Sequence, residues 1–332
     1  MKIARWIYDG VREDGFVDGE ALIPFADGAQ VKDLLDAGLS ATLEIEDRSR
    51  VASAPRAAAD LRLLPPLEPP SVRDFAVFEQ HVEGMVRGNS GVREADVPDA
   101  FYEQPVFYFT NPHSIIGDRD VVRRPAGTER LDFELELAAV IGAVPESAGR
   151  DLDVATAASH IFGYTIMNDW SARDLQSREM RMSLGPCKGK DFATTLGPVL
   201  VTADELSDFI DPDGFLDLTG SVSVNGEILG TDTFANMSWS FPALVAFASR
   251  DSWVKPGDVL GSGTMGNGCL AEAWGRRGLV DPPPLADGDI VTLSIEHLGA
   301  LTNTVTPSVA VPPLMPGARD RRGWRRRTAA AG

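Results

Sequence analysis

The chain has 332 residues, 43% of them hydrophobic, and a formal net charge of −18. That is length and apolar content enough for one large core with a small appendage. The acidity excludes nucleic acid as a partner of the body, the more so because Arg319, Arg321, Arg322, Arg325, Arg326 and Arg327 crowd into the last residues and leave the remainder more acidic still.

From Met1 to about Leu64 short apolar runs such as Lys2–Tyr8 alternate with Asp-Gly turns at Asp9-Gly10, Asp14-Gly15 and Asp27-Gly28, so a small β-rich unit over residues 1–66 is expected. No apolar segment with a small-residue cleavage site opens the sequence. No run nears the ~18 apolar residues of a membrane span. A cytoplasmic location without a membrane partner is the expectation. The prolines in Leu64-Pro65-Pro66-Leu67-Glu68-Pro69-Pro70 stiffen the chain and mark the boundary to a second unit, residues 67–315.

In Leu131-Asp132-Phe133-Glu134-Leu135-Glu136-Leu137 apolar residues hold the odd positions and acids the even ones. A strand would therefore set Glu134 and Glu136 side by side on one face; taken alone, the pattern reads first as a solvated face with Phe133, Leu135 and Leu137 turned inward, since alternating acids are common on exposed faces. Asp153–His160 has helical patterning. Ile161–Asp169 is an apolar run that ends in an acid, and a buried strand with a carboxylate at its tip suits a hard cation. The spacing then predicts a helix over Ser171–Arg181, with Ser171 and Asp174 spaced like a capping box. On it Arg173, Gln176 and Met180 share one face, although Arg173 could equally form a surface ion pair with Asp174 or Glu179.

Lys190 lies in a Gly- and Pro-punctuated loop, where a lysine is ordinarily solvated. Ser221–Val224 and Glu227–Leu229 flank Asn225-Gly226, a two-residue hairpin signal. The Gly-rich run Gly261–Gly268 suits close approach of backbone N–H groups to a ligand, but it lacks the Gly-Lys-Ser/Thr ending of a P-loop. A further strand is expected at Val291–Glu296. Of the four histidines, His81 stands out seven residues after Asp74 in a polar stretch, whereas His113, His160 and His297 read as structural. Cys187 and Cys269 are too few for a disulfide framework and fall in no Cys-x-x-Cys spacing, so a reducing compartment fits. The Pro-rich, then Arg-rich, segment from Pro312 is too poor in apolar residues to order itself, and a disordered basic tail is expected over residues 316–332.

The run Met167-Asn168-Asp169-Trp170-Ser171-Ala172-Arg173-Asp174-Leu175-Gln176, with Leu184-Gly185-Pro186 and Gly189-Lys190-Asp191-Phe192 after it, resembles the fumarylacetoacetate hydrolase family. The resemblance extends through Arg130–Val140 and Asp74–His81 and covers most of the chain after Leu67. It implies a mainly β (α+β) fold, a mixed β-sandwich roll with a few helices, that forms a homodimer. It implies that Asp74, Glu134, Glu136 and Asp169 are metal ligands, that His81 is the general base and that Glu272 orients it. By the same resemblance Lys190 polarises the substrate, while Arg173, Gln176, Thr264 and Tyr108 bind it. Four carboxylates imply a hard divalent cation, Mg²⁺ first, with Mn²⁺ or Ca²⁺ as alternatives, and a small anionic keto-acid as substrate. Three positions depart from the enzyme that cleaves fumarylacetoacetate itself. Ala76 and Met180 stand where it has tyrosines, and its carboxylate-binding arginine falls at Ser90, with Arg87 or Arg93 as substitutes. The expected reaction is hydrolysis of a carbon–carbon bond in an acylpyruvate-like diketo-acid. Isomerisation or decarboxylation through the same enolate is the alternative, and a catalytically lapsed binding protein the remaining one.

Overall fold

In the computed structural model, residues 1–58, 61–90 and 96–312 are described; Arg93, the Ser90 side chain and the tail at 316–332 lie outside the described residues. The fold is mainly sheet with several helices. Its largest sheet has 12 strands, and Leu135–Ile141 and Ile161–Asp169 lie at its centre, paired antiparallel to each other. Every residue of both strands is buried, because apolar layers cover both faces, which is why these segments read as continuous apolar runs.

Side-chain alternation divides those layers. Leu135, Leu137, Ala139, Ile141 and Ile166 join the main core with Val222, Leu293 and Leu301 of the second, five-stranded sheet. Ala138, Val140, Phe162 and Met167 face the other way and pack with Ile3, Phe16, Leu34 and Leu35 of the N-terminal unit. The strand Lys2–Tyr8 pairs with Thr194–Thr202, so the N-terminal meander extends the large sheet without a break. Beyond its strands this unit holds two helices, Val31–Ala37 and Leu39–Ala52. Gln30 and Asp33 form a reciprocal capping box at the first, and Gly38, with φ +85°, turns the chain between them.

The Asn225-Gly226 hairpin forms as expected, joining Thr219–Val224 to Glu227–Thr233 with positive φ at both turn residues. The expected strand at Val291–Glu296 is Ile290–Ile295, and the expected helix at Asp153–His160 is Val154–Ser159, capped by Asp153.

Two local expectations are corrected. Leu131–Leu137 is not one strand: Leu131–Asp132 pairs with Ser171–Ala172 as a separate ladder, and the chain bends at Phe133-Glu134 before Leu135 enters the large sheet. Ser171 therefore sits in a strand rather than capping a helix. The helix is Arg173–Met180, and Asp174 accepts from Thr128 Oγ1 and the Glu129 amide instead.

Phe162 is buried in the cluster that the N-terminal unit shares with the sheet, so Phe162→Ala should cost about 3–5 kcal/mol, as buried aromatic truncations do. Urea unfolding measures this, and a loss under about 1 kcal/mol would show that the layer is not continuous.

Candidate active site

The face of the large sheet that carries the N-terminal core ends in acids. Val72 and Val259 pack in that core. Two residues further along their strands come Asp74 and Gly261, which are paired across a parallel ladder. Glu136 precedes Ala138 and Asp169 follows Met167 on the same face. Pairing register thus gathers Asp74, Glu136 and Asp169, whose oxygens come within 4.8 Å of one another. Gly261 lies between them: a Cβ there would stand 2.3 Å from Met167 Cε, 2.5 Å from Asp74 Oδ1 and 2.7 Å from Glu136 Oε2, so the ends of these side chains would have to shift to admit it.

The three carboxylates are 4% exposed or less, and Asp74 Oδ1, both Glu136 oxygens and Asp169 Oδ1 have no hydrogen-bond partner among the described residues. Buried acceptors are almost always satisfied. At an effective dielectric of about 20, each like-charged pair at this separation repels by about 3–4 kcal/mol, so three pairs would consume much of a domain's ~5–15 kcal/mol of stability. Burial, and after it the charge of Asp169, pushes Asp74 up to about 8. Glu136 is driven well above the usual range by burial and then by Asp74. A buried cluster of oxygen donors with unpartnered lone pairs fits a hard divalent cation.

Glu134 keeps different company. From the bend before Leu135 it takes an ion pair from Arg173 Nη2 at 2.7 Å and another from Lys190. Burial alone would raise it, but Arg173, then Lys190 and His81, hold it well below the ordinary glutamate range. Lys190 is buried and also donates to Asp169 Oδ2 at 2.5 Å, an oxygen that Tyr108 Oη approaches at 2.5 Å from the other side. The loop lysine is therefore not solvated, and Arg173 is not a surface ion pair. Burial opposes the charge on Lys190, and Asp169 and Glu134 outweigh it and raise its affinity for the proton.

His81 comes from the helix Glu79–Ser90. Its Nε2 lies 3.9 Å from Glu134 Oε1 and its Nδ1 3.7 Å from Glu272 Oε2. Glu272 is held by Arg276 and by the Asn267 amide, which donates to both carboxylate oxygens at 3.1 and 2.9 Å. That amide belongs to the Gly-rich run, so this backbone N–H steadies an acid rather than facing the cavity. Gln176 Oε1 accepts from Arg173 Nη1 at 3.2 Å, which leaves its NH₂ as the free end of the amide.

His81, Tyr108, Glu134, Gln176, Lys190 and Thr264 line one cavity of about 320 Å³ together with Ala76 and Met180. Met85, Arg173, Gln176 and Met180 also line a second cavity of about 350 Å³, bordered by Arg87, Arg130 and Trp274. His113, His160 and His297 line neither.

Asp132 was not singled out, yet it ties the site together. It accepts from Arg173 Nε at 2.8 Å and from the Leu270 and Ala271 amides at 2.9 and 3.0 Å, at the start of the helix Leu270–Arg277 that carries Glu272. It is the first acid of the same even-numbered series as Glu134 and Glu136, so the signal was present.

Convergent acids on a mixed sheet stand here beside an acid-held histidine, a donor set that could hold a divalent cation. The model of the fumarylacetoacetate hydrolase C-terminal domain matches residues 71–306, and the chain belongs to the fumarylacetoacetate hydrolase family. Oxaloacetate tautomerase YisK of Bacillus subtilis is 30% identical over 249 residues, 74% of each chain. Fumarylacetoacetase of Arabidopsis thaliana is 33% identical over 67% of this chain, which spans 63% of that protein's length. Among solved structures, fumarylacetoacetate hydrolase from Exiguobacterium antarcticum superposes with a TM-score of 0.66 at 29% identity, over 92% of this chain and 99% of that one. Enzymes of this family act on keto-acids as hydrolases, isomerases, decarboxylases and tautomerases.

Gly261→Ala should leave the fold intact but weaken Mn²⁺ binding by at least about ten-fold, read by titration calorimetry; unchanged affinity would remove the ion from between these acids. A second outcome follows from linkage. Asp74 and Glu136 bind protons in the native chain that the unfolded chain has released, so metal-free protein should lose stability as pH rises from about 4 to about 8. Added Mg²⁺ or Mn²⁺ should cancel that loss at the high end. Glu134 and Glu272 are shifted downward, so their stabilisation fails only as pH falls below about 4.5. Thermal melts across pH, with and without metal, test this; a metal-free melting point that climbs from pH 5 to 8 would contradict it.

Proposed function

We propose that this chain is a divalent-metal enzyme that hydrolyses a carbon–carbon bond in a small diketo-acid of the acylpyruvate type. The observation that carries this reading is the pairing of idle, buried carboxylate oxygens with an imidazole braced by Glu272. Asp74, Glu136 and Asp169 would hold the cation, Mg²⁺ first and Mn²⁺ or Ca²⁺ as alternatives, with Glu134 as the fourth carboxylate at its edge. The bound cation supplies Lewis-acid polarisation of the keto-acid oxygens and a positive charge that attracts an anionic substrate into an acidic protein.

The rest belongs to the side chains. Glu272 favours the tautomer in which Nδ1 carries the proton, so that Nε2 faces the cavity as a base. Both contacts of the imidazole are longer than hydrogen bonds, as acid–base contacts often are before substrate tightens them. His81 takes a proton from water, the hydroxide adds to the carbonyl, and the carbon–carbon bond breaks to leave an enolate that is then protonated on carbon. Lys190 and the Gln176 amide stabilise the developing oxyanion. Arg173 and Tyr108 hold Glu134, Gln176 and Asp169 in place. Ala76 and Met180 offer no hydrogen bonds to a fumaryl tail, each worth roughly 1–3 kcal/mol, so fumarylacetoacetate itself is disfavoured. The homodimer and the cytoplasmic location are proposed with this reading.

A second reading is tautomerisation or isomerisation, in which His81 moves the proton between carbon and oxygen without an added water. The similarity to an oxaloacetate tautomerase favours it. Products separate the two: hydrolysis yields two acids, while isomerisation conserves mass. With an acylpyruvate and Mg²⁺, His81→Ala should lower kcat by about 10²–10⁴-fold, and Glu136→Gln should abolish metal binding and turnover together. Full turnover by His81→Ala would end the proposal.

A further inference from the structure

A second group of metal-binding side chains meets on the side of His81 that faces away from the carboxylates. Cys269 Sγ lies 3.6 Å from His81 Nδ1, and Glu272 Oε2 lies 3.7 Å from the same nitrogen. One donor atom from each of the three falls within 4.8 Å of the other two.

One helix turn and one helix crossing bring these three side chains together. Cys269 is the N-cap of the helix Leu270–Arg277, where its sulfur accepts from the Glu272 amide at 3.4 Å. The Cys-x-x-Glu spacing sets sulfur and carboxylate on the same side of the first turn. The helix that carries His81 crosses this one at van der Waals contact through glycines: a Cβ on Gly84 would stand 2.5 Å from Glu272 Cγ, and one on Gly275 would stand 1.9 Å from Gly84 O.

Geometry and donor chemistry agree on the ion. With Zn–S about 2.3 Å and Zn–N and Zn–O about 2.0–2.2 Å, a tetrahedral zinc holds sulfur and nitrogen about 3.5 Å apart and nitrogen and oxygen about 3.4 Å apart. The 3.6 and 3.7 Å seen here are close to both. Sulfur and nitrogen donors select Zn²⁺, whereas the all-oxygen cluster across the imidazole selects Mg²⁺, Mn²⁺ or Ca²⁺.

We propose that His81 Nδ1, Cys269 Sγ and the Glu272 carboxylate form an inhibitory Zn²⁺ site, separate from the carboxylate cluster. Binding expels the thiol proton to solvent. It also occupies the Nδ1 lone pair, which moves the imidazole proton to Nε2. Nε2 then has no lone pair with which to accept a proton, and the base is switched off. The inhibition rests on the proposed role of His81; the binding does not.

Cobalt(II) reports a thiolate ligand through a charge-transfer band in the near ultraviolet. Co²⁺ is titrated into the Mg²⁺-saturated full-length protein and into its Cys187→Ser, Cys269→Ser and Cys269→Ala variants; serine retains an oxygen to cap the helix. The band should appear in the native protein and in Cys187→Ser, vanish in both Cys269 variants, and be displaced by Zn²⁺. In turnover assays Cys269→Ser should match native activity without zinc and need at least about ten-fold more Zn²⁺ for half-inhibition, since even partners outside the ligand shell are worth roughly 10–100-fold in affinity. A band that survives in Cys269→Ser, or no band in the native protein, overturns the site. If the band behaves as expected but zinc leaves turnover unaffected, the site stands as a binding site and it is the assignment of His81 as base that fails.

Discussion

Mutual repulsion among Asp74, Glu136 and Asp169, buried together with four of their six oxygens unpartnered among the described residues, is the constraint around which the rest of the molecule is arranged. Burial strengthens every charge interaction, so the acids hold protons, gather cations, or do both. The chain supplies two cations of its own at the edge, Lys190 and Arg173; both pair with Glu134, Lys190 also with Asp169 and Arg173 also with Asp132. What they leave uncompensated is the set of oxygens aimed between the strands. This division separates an ion-paired network from a set of unpartnered oxygen donors, the chemistry that suits a hard cation.

The fold makes that arrangement affordable. Each acid is the terminal residue of an otherwise apolar strand face, so the strands are fixed by burial of Val72, Ala138, Val140, Met167 and Val259 before any charge is considered. A register slip of one residue would turn every acid to the opposite face, which couples the site to the same packing that holds the N-terminal unit on the sheet. Asp132 extends this coupling. By anchoring both Arg173 and the first turn of the Leu270–Arg277 helix, it fixes where Glu272 stands relative to Glu134, and His81 is suspended between those two acids.

Much of this was legible in the sequence, and the reason differs from element to element. The Asn-Gly hairpin and the apolar runs at 161–169 and 291–296 carry local signals, and the structure has strands there. The alternation in 131–137 was ambiguous because a solvated face and a ligand face share one pattern. What decides between them is the parallel pairing of Val72–Phe75 with Val259–Gly261, a long-range contact that periodicity cannot carry. The same holds for Lys190, whose loop looks solvated until Glu134 and Asp169, 56 and 21 residues away, close over it. The two N-terminal helices were missed although Gln30, Asp33 and Gly38 mark their limits, because the neighbouring Asp-Gly turns dominated that stretch. Proximity of Cys269 to His81 arises from a crossing of two helices through glycines and had no sequence signal.

The central claim, that these acids were assembled to hold one ion, is tested most directly by a crystal structure of the protein grown with Mn²⁺ and read by anomalous scattering. The account predicts a single strong peak about 2.0–2.6 Å from oxygens of Asp74, Glu136 and Asp169, beside Glu134 and on the Glu134 side of the His81 ring. Well-diffracting crystals with no manganese among those three side chains, or with the side chains turned apart from one another, would contradict it.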